Sequence, residues 1–202
     1  LLKEGKIIIQ DLSSQLVAEV VDPKENEVIL DACAAPGSKS SHLSMLMHNQ
    51  GKIIACDIHK HKIKLMENFF KHNGNTNIEV KCIDARELKN QGFINYFDQI
   101  LLDVPCSGLG VIGHKVDLKY HISLDAIEEI KNLQREILEA TYDLVKSGGY
   151  ITYSTCTLNK EENEMQIQKF IENKNLEIVY EKTILPFAYH SDGFYICKMR
   201  KV

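Results

Sequence analysis

EVILDACAAPGSKS, residues 27–40, joins a short apolar run to a turn of small residues and then to a serine-rich polar stretch. An apolar run this short that stops at an acid suits a strand buried on both faces. The small residues and Gly37 after it let the backbone turn sharply into a helix, and a ligand can approach such a backbone closely. The same pattern recurs in KIIACDI (52–58), IEVKCID (78–84), DQILLDV (98–104) and GYITYST (149–155). Amphipathic stretches lie between these runs. One spans about Leu124 to Lys146, with Ile127, Ile130, Leu133, Ile137, Leu138, Thr141, Leu144 and Val145 at threes and fours, Ser123 as its cap and Gly148 and Gly149 as its stop. A second spans about His59 to His72, and a third follows Asn159 with Glu162 as its capping-box partner. LEIVYE (176–181) and GFYICKMR (193–200) have no helix between them, so they are expected to pair antiparallel at the sheet edge. The expected fold is α/β: one domain over residues 1–202, with a mostly parallel, doubly wound sheet and an antiparallel C-terminal hairpin.

Of the residues, 44% are hydrophobic and 26% charged, which excludes disordered and fibrous chains, and no apolar stretch approaches the roughly 20 residues of a membrane span. Cys33, Cys56, Cys82, Cys106, Cys156 and Cys197 form no CxxC pair, so they are expected to be reduced thiols in a cytoplasmic protein without a structural metal. A net charge of −4 weighs mildly against a nucleic-acid partner, although Lys115 and Lys119 with His114 and His121 make one local basic cluster.

In a doubly wound sheet the ligand sits beyond the carboxyl ends of the strands. Those ends carry Asp31, Asp57, Asp84 and Asp103. Asp57 follows the glycine turn by about twenty residues, the spacing at which a carboxylate takes ribose hydroxyls, and Asp84 is placed to accept from an adenine amino group. There is neither a GxGxxG nor a GxxxxGK[ST] sequence to cradle phosphates. A turn without a phosphate cradle, flanked by ribose and adenine acceptors, suits S-adenosylmethionine.

The fourth run ends in DVPCSG (103–108) and the fifth leads into STCT (154–157), so each puts a cysteine, Cys106 or Cys156, at the substrate rim. Cysteines are common core residues, and Cys33, Cys56, Cys82 and Cys197 read as packing. The motifs DACAAPGSK, DARE, DQILLDVPCSGLGVI, QREIL, GGYITYSTCTLNKEEN and DGFYICK, in this order, resemble those of the Sun (Fmu) family of RNA cytosine-5 methyltransferases, related to the NOL and NSUN proteins. The bacterial small-subunit ribosomal RNA enzymes are the most similar.

The resemblance implies a Rossmann-like class I methyltransferase fold, S-adenosylmethionine as cofactor and RNA, ribosomal RNA above all, as partner. By the same resemblance Cys33, Ala34, Ala35, Pro36, Gly37, Ser38, Lys39, Asp57, Asp84 and Asp103 bind the cofactor. Cys156 is the nucleophile, Cys106 assists release, Asp103 faces the cytosine edge and Lys39 positions the target nucleotide. Residues alone do not rank the two cysteines, and they assign no base for the C5 proton. Bacterial members carry an upstream RNA-binding domain resembling the antitermination factor NusB, and this chain is expected to be a fragment without it. Two departures stand out: PGSK replaces the usual PGGK at Ser38, and GHKVDLKY (113–120) replaces a segment that in relatives carries paired arginines, a proline and a tryptophan. Two rival readings are an amino-group methyltransferase, which needs no nucleophile and has a tyrosine where Cys106 stands, and a catalytically silent RNA-binding or assembly factor.

Overall fold

The computed structural model describes the backbone of residues 1–202 and every side chain except those of Lys119, His121 and Tyr189. In chain order the elements are α1 (Leu12–Val21), β1 (Val28–Asp31), α2 (Ser38–Leu46), β2 (Lys52–Asp57), α3 (Lys60–His72), β3 (Ile78–Cys82) and β4 (Phe97–Asp103). After them come α4 (Leu118–His121), α5 (Leu124–Tyr142), β5 (Val145–Thr155), α6 (Glu164–Ile171), β6 (Leu176–Ile184), α7 (Pro186–Tyr189) and β7 (Phe194–Lys201). The seven strands form one sheet in the order β3-β2-β1-β4-β5-β7-β6. β7 runs antiparallel to both β5 and β6, and the other pairings are parallel. All seven expected strands are present, and the fold is the doubly wound one that their pattern predicts.

Alternation along the central strands serves two faces. Leu30, Ile100, Leu102, Ile151 and Tyr153 pack with Ile137, Leu138, Ile167 and Phe170 of α5 and α6 on one side. Ile29, Ile53, Leu101 and Ile196 pack with Val17, Val21 and Leu43 of α1 and α2 on the other. Burying each such side chain contributes about 1.5–3 kcal/mol, so the two layers together fix where the strands end.

Three expectations about helices are corrected. α1 has no counterpart among the expected helices; Asp11 caps it, accepting from Ser13 N at 2.9 Å, and Val17, Ala18 and Val21 face the sheet. α5 stops at Tyr142 rather than near Lys146, because Leu144 and Val145 enter the core beside Phe97 and Val145 pairs with that residue. Gly148 and Gly149 therefore lie inside β5, where the register with β4 shifts between Phe97 and Gln99, and Gly148 takes φ 80°. α6 begins at Glu164 with Asn163 as its N-cap, and Glu162 is not its capping partner: that side chain is fully buried and accepts from Ser107, Gln134 and the Asn159 side chain.

Gly110 holds the strand ends together. Its N–H donates to Cys156 O at 3.0 Å and its carbonyl accepts from Gly193 N at 2.9 Å. A Cβ there would collide with the backbone of Gly193 and of Cys156, none of which is a flexible side-chain end. Gly113, further along the same loop, faces open space. Gly110→Ala is therefore expected to destabilise the domain by about 1–3 kcal/mol, the usual cost of overpacking, while Gly113→Ala leaves it within about 1 kcal/mol of wild type; urea unfolding of the two variants measures the difference.

Candidate active site

Parallel pairing of β4 with β5 sets Asp103 opposite Ser154. The chain leaves both strands in the same direction, so Cys106 and Cys156 arrive side by side with their Sγ atoms 3.1 Å apart. Both are half-buried free thiols. Ser154 Oγ donates to Asp103 Oδ1 at 2.7 Å, and Lys39 from the first turn of α2 reaches Asp103 Oδ2 at 2.8 Å. Gly37 makes that reach possible: it takes φ 108°, where a Cβ would also meet the Phe70 ring at 2.9 Å, and it turns the chain so that α2 starts at Ser38. Ser38 itself needs no left-handed backbone, so the serine in PGSK is accommodated.

Electrostatics separate the two thiols. The Cys106 thiol donating to it is the main influence that holds Cys156 below the ordinary thiol range; burial and the Asp103 charge oppose this, and Lys39 and Lys115 support it. Cys106 is pushed well up, first because its proton is engaged by Cys156 and then by burial. Cys156 is thus the thiol that ionises and Cys106 the one that keeps its proton. Burial disfavours the Lys39 charge, yet the Asp103 carboxylate outweighs it and the ammonium is held above its usual value. Beneath them burial pushes the Asp31 carboxyl up to about 7, against the Ser40 hydroxyl that donates to it at 2.5 Å. Cys56 and Cys197 are driven up by burial to about 12 and pack in the core.

Two adjoining hollows flank this centre. One, a cleft of about 110 Å³, is lined by Cys33, Asp57, Asp84, Arg86 and apolar Ile58, Pro105, Leu133 and Ile137. Asp57 is held ionised: burial opposes its charge, but the His59 N–H at 2.9 Å and the His59 ring and Lys62 together outweigh it. Asp84 is held low chiefly by Arg86, which grips both of its oxygens and continues to Glu136 on α5. The smaller hollow is lined by Asp31, Cys33, Ala34, Ala35, Pro36, Ser38, Lys39 and Asp103. Carboxylates at an apolar cleft can hold a nucleoside by its hydroxyl and amino donors. Gly37 lines neither hollow and packs against α3.

Every other expected site residue is therefore brought to one rim. Sequence reasoning missed His59, Lys62 and Arg86, which brace the two acids, and the buried polar group Ser107, Gln134, Thr157, Glu162 and Asn163 beneath the thiols. The basic cluster expected at His114, Lys115, Lys119 and His121 is seen in part: His114 pairs with Asp192 at 3.1 Å, Lys115 influences Cys156, and the side chains of Lys119 and His121 lie outside the described residues. Among the described residues no group of three or more His, Cys, Asp or Glu side chains could hold a metal ion, and no helix is long and apolar enough to cross a membrane.

A family model described as 16S rRNA methyltransferase RsmB/F matches residues 18–200. The chain belongs to the RsmB/F family. One relative, the probable ribosomal RNA small subunit methyltransferase B of Bacillus subtilis, is 42% identical over 98% of this chain and 48% of its own length. The tRNA (cytosine(72)-C(5))-methyltransferase of Pyrococcus horikoshii is 36% identical over 99% of this chain and 54% of its own. The crystal structure of NSun6 from Pyrococcus horikoshii with SFG superposes at a TM-score of 0.92 with 35% identity, covering 100% of this chain and 54% of that one. This RsmB/F chain thus spans about half the length of these relatives.

Because Cys106 is the chief group favouring the Cys156 thiolate, Cys106→Ala is expected to move the pH midpoint of Cys156 alkylation upward. Lys39→Met moves it the same way, by removing a cation and leaving Asp103 unpaired. Iodoacetamide labelling against pH, read peptide by peptide by mass spectrometry, checks both directions.

Proposed function

We propose that this domain, residues 1–202, transfers a methyl group from S-adenosylmethionine to C5 of a cytosine in RNA, with small-subunit ribosomal RNA as the substrate, through a covalent bond from Cys156 to C6 of the base. The observation that carries the reading is the pair of thiols 3.1 Å apart, one favoured to ionise and the other to keep its proton, beside the Lys39–Asp103 ion pair. Membership of a family described as 16S rRNA methyltransferases, and the 42% identity to a small-subunit ribosomal RNA relative, support the substrate. An RNA partner and unpaired thiols agree with a cytoplasmic location.

The residues present fit the cofactor. Asp57 and Asp84, both held ionised at an apolar cleft, would take the ribose hydroxyls and the adenine amino group, and the Cys33–Lys39 turn beside Asp31 would hold the amino-acid end. SFG, an S-adenosylmethionine analogue, was solved with a structure 35% identical to this chain. Bound S-adenosylmethionine supplies an electrophilic methyl carbon.

C5 of cytosine is a weak nucleophile until a group adds at C6. Cys156 Sγ, as thiolate, bonds to C6 and pushes ring electrons toward C5 and N3. Lys39, nearly buried and oriented by its ion pair with Asp103, supplies positive charge beside the ring as negative charge builds there. Once C5 has been methylated and has lost its proton, the C6–S bond breaks and Cys156 leaves as thiolate. Cys106, adjacent and protonated, would assist that departure by hydrogen-bonding the leaving sulfur, a role its 3.1 Å approach supports.

Two measurements test this. Asp57→Ala is expected to weaken S-adenosylmethionine binding about tenfold to a hundredfold, since charge-assisted bonds contribute about 1.5–3 kcal/mol; unchanged calorimetric affinity in a folded variant would count against the cleft. With cofactor and substrate RNA supplied, Cys106→Ala is expected to accumulate a protein band shifted by covalently held RNA on a denaturing gel, and Cys156→Ala to give neither adduct nor product. A shifted band in Cys156→Ala alone would reverse the two roles. Bisulfite sequencing of ribosomal RNA from cells lacking the gene locates the target base.

A further inference from the structure

Glu162 is fully buried, and its carboxylate receives four donors: Ser107 N at 2.9 Å and Gln134 Nε2 at 3.1 Å on Oε2, Ser107 Oγ at 2.6 Å and Asn159 Nδ2 at 3.0 Å on Oε1. This fills the acceptor capacity of an ionised carboxylate. The Ser107 hydroxyl proton is committed to Glu162, so Thr157 Oγ1 must be the donor in the 2.7 Å contact with Ser107 Oγ. Ser107 follows Cys106 and Thr157 follows Cys156, so this line of bonds runs directly under the thiol pair.

The neighbouring residues tighten the same knot. Gln134 also donates to Pro105 O at 2.8 Å. Tyr153 OH donates to Glu162 O at 2.7 Å, Thr155 Oγ1 to Asn163 Oδ1 at 2.6 Å, and Asn163 Nδ2 to Thr157 O at 3.0 Å. The residues on both sides of Cys106 and on both sides of Cys156 are therefore tied to the Glu162–Asn163 turn or to Gln134 against it. Removing a carboxylate from water is costly, and packing alone would be served by an apolar side chain of similar volume. What an apolar side chain could not do is gather donors from two separate loops onto one point.

We propose that Glu162 is the positioning residue of the thiol pair: it locks the Cys106 loop to the Cys156 loop and so sets the 3.1 Å spacing at which the Cys106 thiol hydrogen-bonds to Cys156 Sγ. The inference rests on the methyl-transfer reading only in its kinetic consequence. The spacing itself can be measured without RNA or cofactor.

The experiment compares wild type, Glu162→Gln, Cys106→Ala and the double variant, with Ser107→Ala as a milder lesion in the same line. The amide introduced by Glu162→Gln would turn an N–H₂ group toward donors and break the gathering point while keeping the volume. Iodoacetamide labelling of Cys156 against pH is expected to show an upward midpoint in Glu162→Gln, a smaller upward shift in Ser107→Ala, and no added shift from Glu162→Gln on top of Cys106→Ala, because Glu162 acts through Cys106. In methylation assays kcat is expected to fall about tenfold or more while the KM for cofactor stays within about twofold, the signature of misplaced reacting groups with the cofactor cleft intact. A folded Glu162→Gln protein with the wild-type labelling profile overturns the proposal, as does a double variant in which the two shifts add. If Glu162→Gln does not fold, Ser107→Ala and its double with Cys106→Ala decide by the same two criteria. If wild type methylates no RNA, the function proposed above fails while the labelling comparison still judges Glu162.

Discussion

The site depends on one register: β4 lies parallel to β5 with Asp103 opposite Ser154. Strand register is all-or-none, since a slip by one residue exchanges the faces of the strand. Here a slip would exchange the two core faces of β4, sending Leu101 to the side that Ile100 and Leu102 now fill, and would move Cys106 away from Cys156. The register is defended by two layers of core, Leu102 and Tyr153 on one side and Leu101 and Ile196 on the other, so packing far larger than the site brings the two cysteine-bearing loops to one rim. The bonds gathered on Glu162 then act on loops that the sheet has already set side by side.

On that frame the charges are arranged so that each has a local reason to be what it is. Lys39 is nearly buried, and the Asp103 carboxylate more than offsets the cost of burying its charge; Asp103 in turn accepts from Ser154 on the neighbouring strand. Cys156 feels both members of the pair, with opposite sign, and the thiol of Cys106 tips the balance. Two chemically identical side chains thereby come to differ, one able to attack and the other able to retain a proton. The same logic of two like groups pushed apart by their surroundings serves acid and base pairs in many enzymes.

Much of this was legible in the sequence because it rests on local patterns. Seven apolar runs became seven strands, and the acids that ended four of them, Asp31, Asp57, Asp84 and Asp103, now stand at one rim. What escaped was non-local. Leu144 and Val145 continue the helical spacing of α5, and only their partner Phe97, on another strand, shows that the helix has already ended before them. Glu162 three residues after Asn159 has the spacing of a capping box, and the Asn159 side chain does bond it, but its remaining partners Ser107 and Gln134 are far away along the chain. α1 was hidden for a different reason: the Asp11–Ser13 cap and the serines after it read as loop chemistry until Val17, Ala18 and Val21 are seen against the sheet.

The antiparallel insertion of β7 has a bearing on how the molecule is made. β6 pairs with the sheet only through β7. Removal of residues 193–201 would therefore strip two strands, and it would also withdraw Gly193 from Gly110 and Phe194 from beneath Lys39. Because β7 follows β1 to β5 along the chain, those parallel strands can form during synthesis before it emerges, but the reactive rim cannot close until it does. A chain interrupted before β7 would thus carry both cysteines and still lack the frame that makes them a pair.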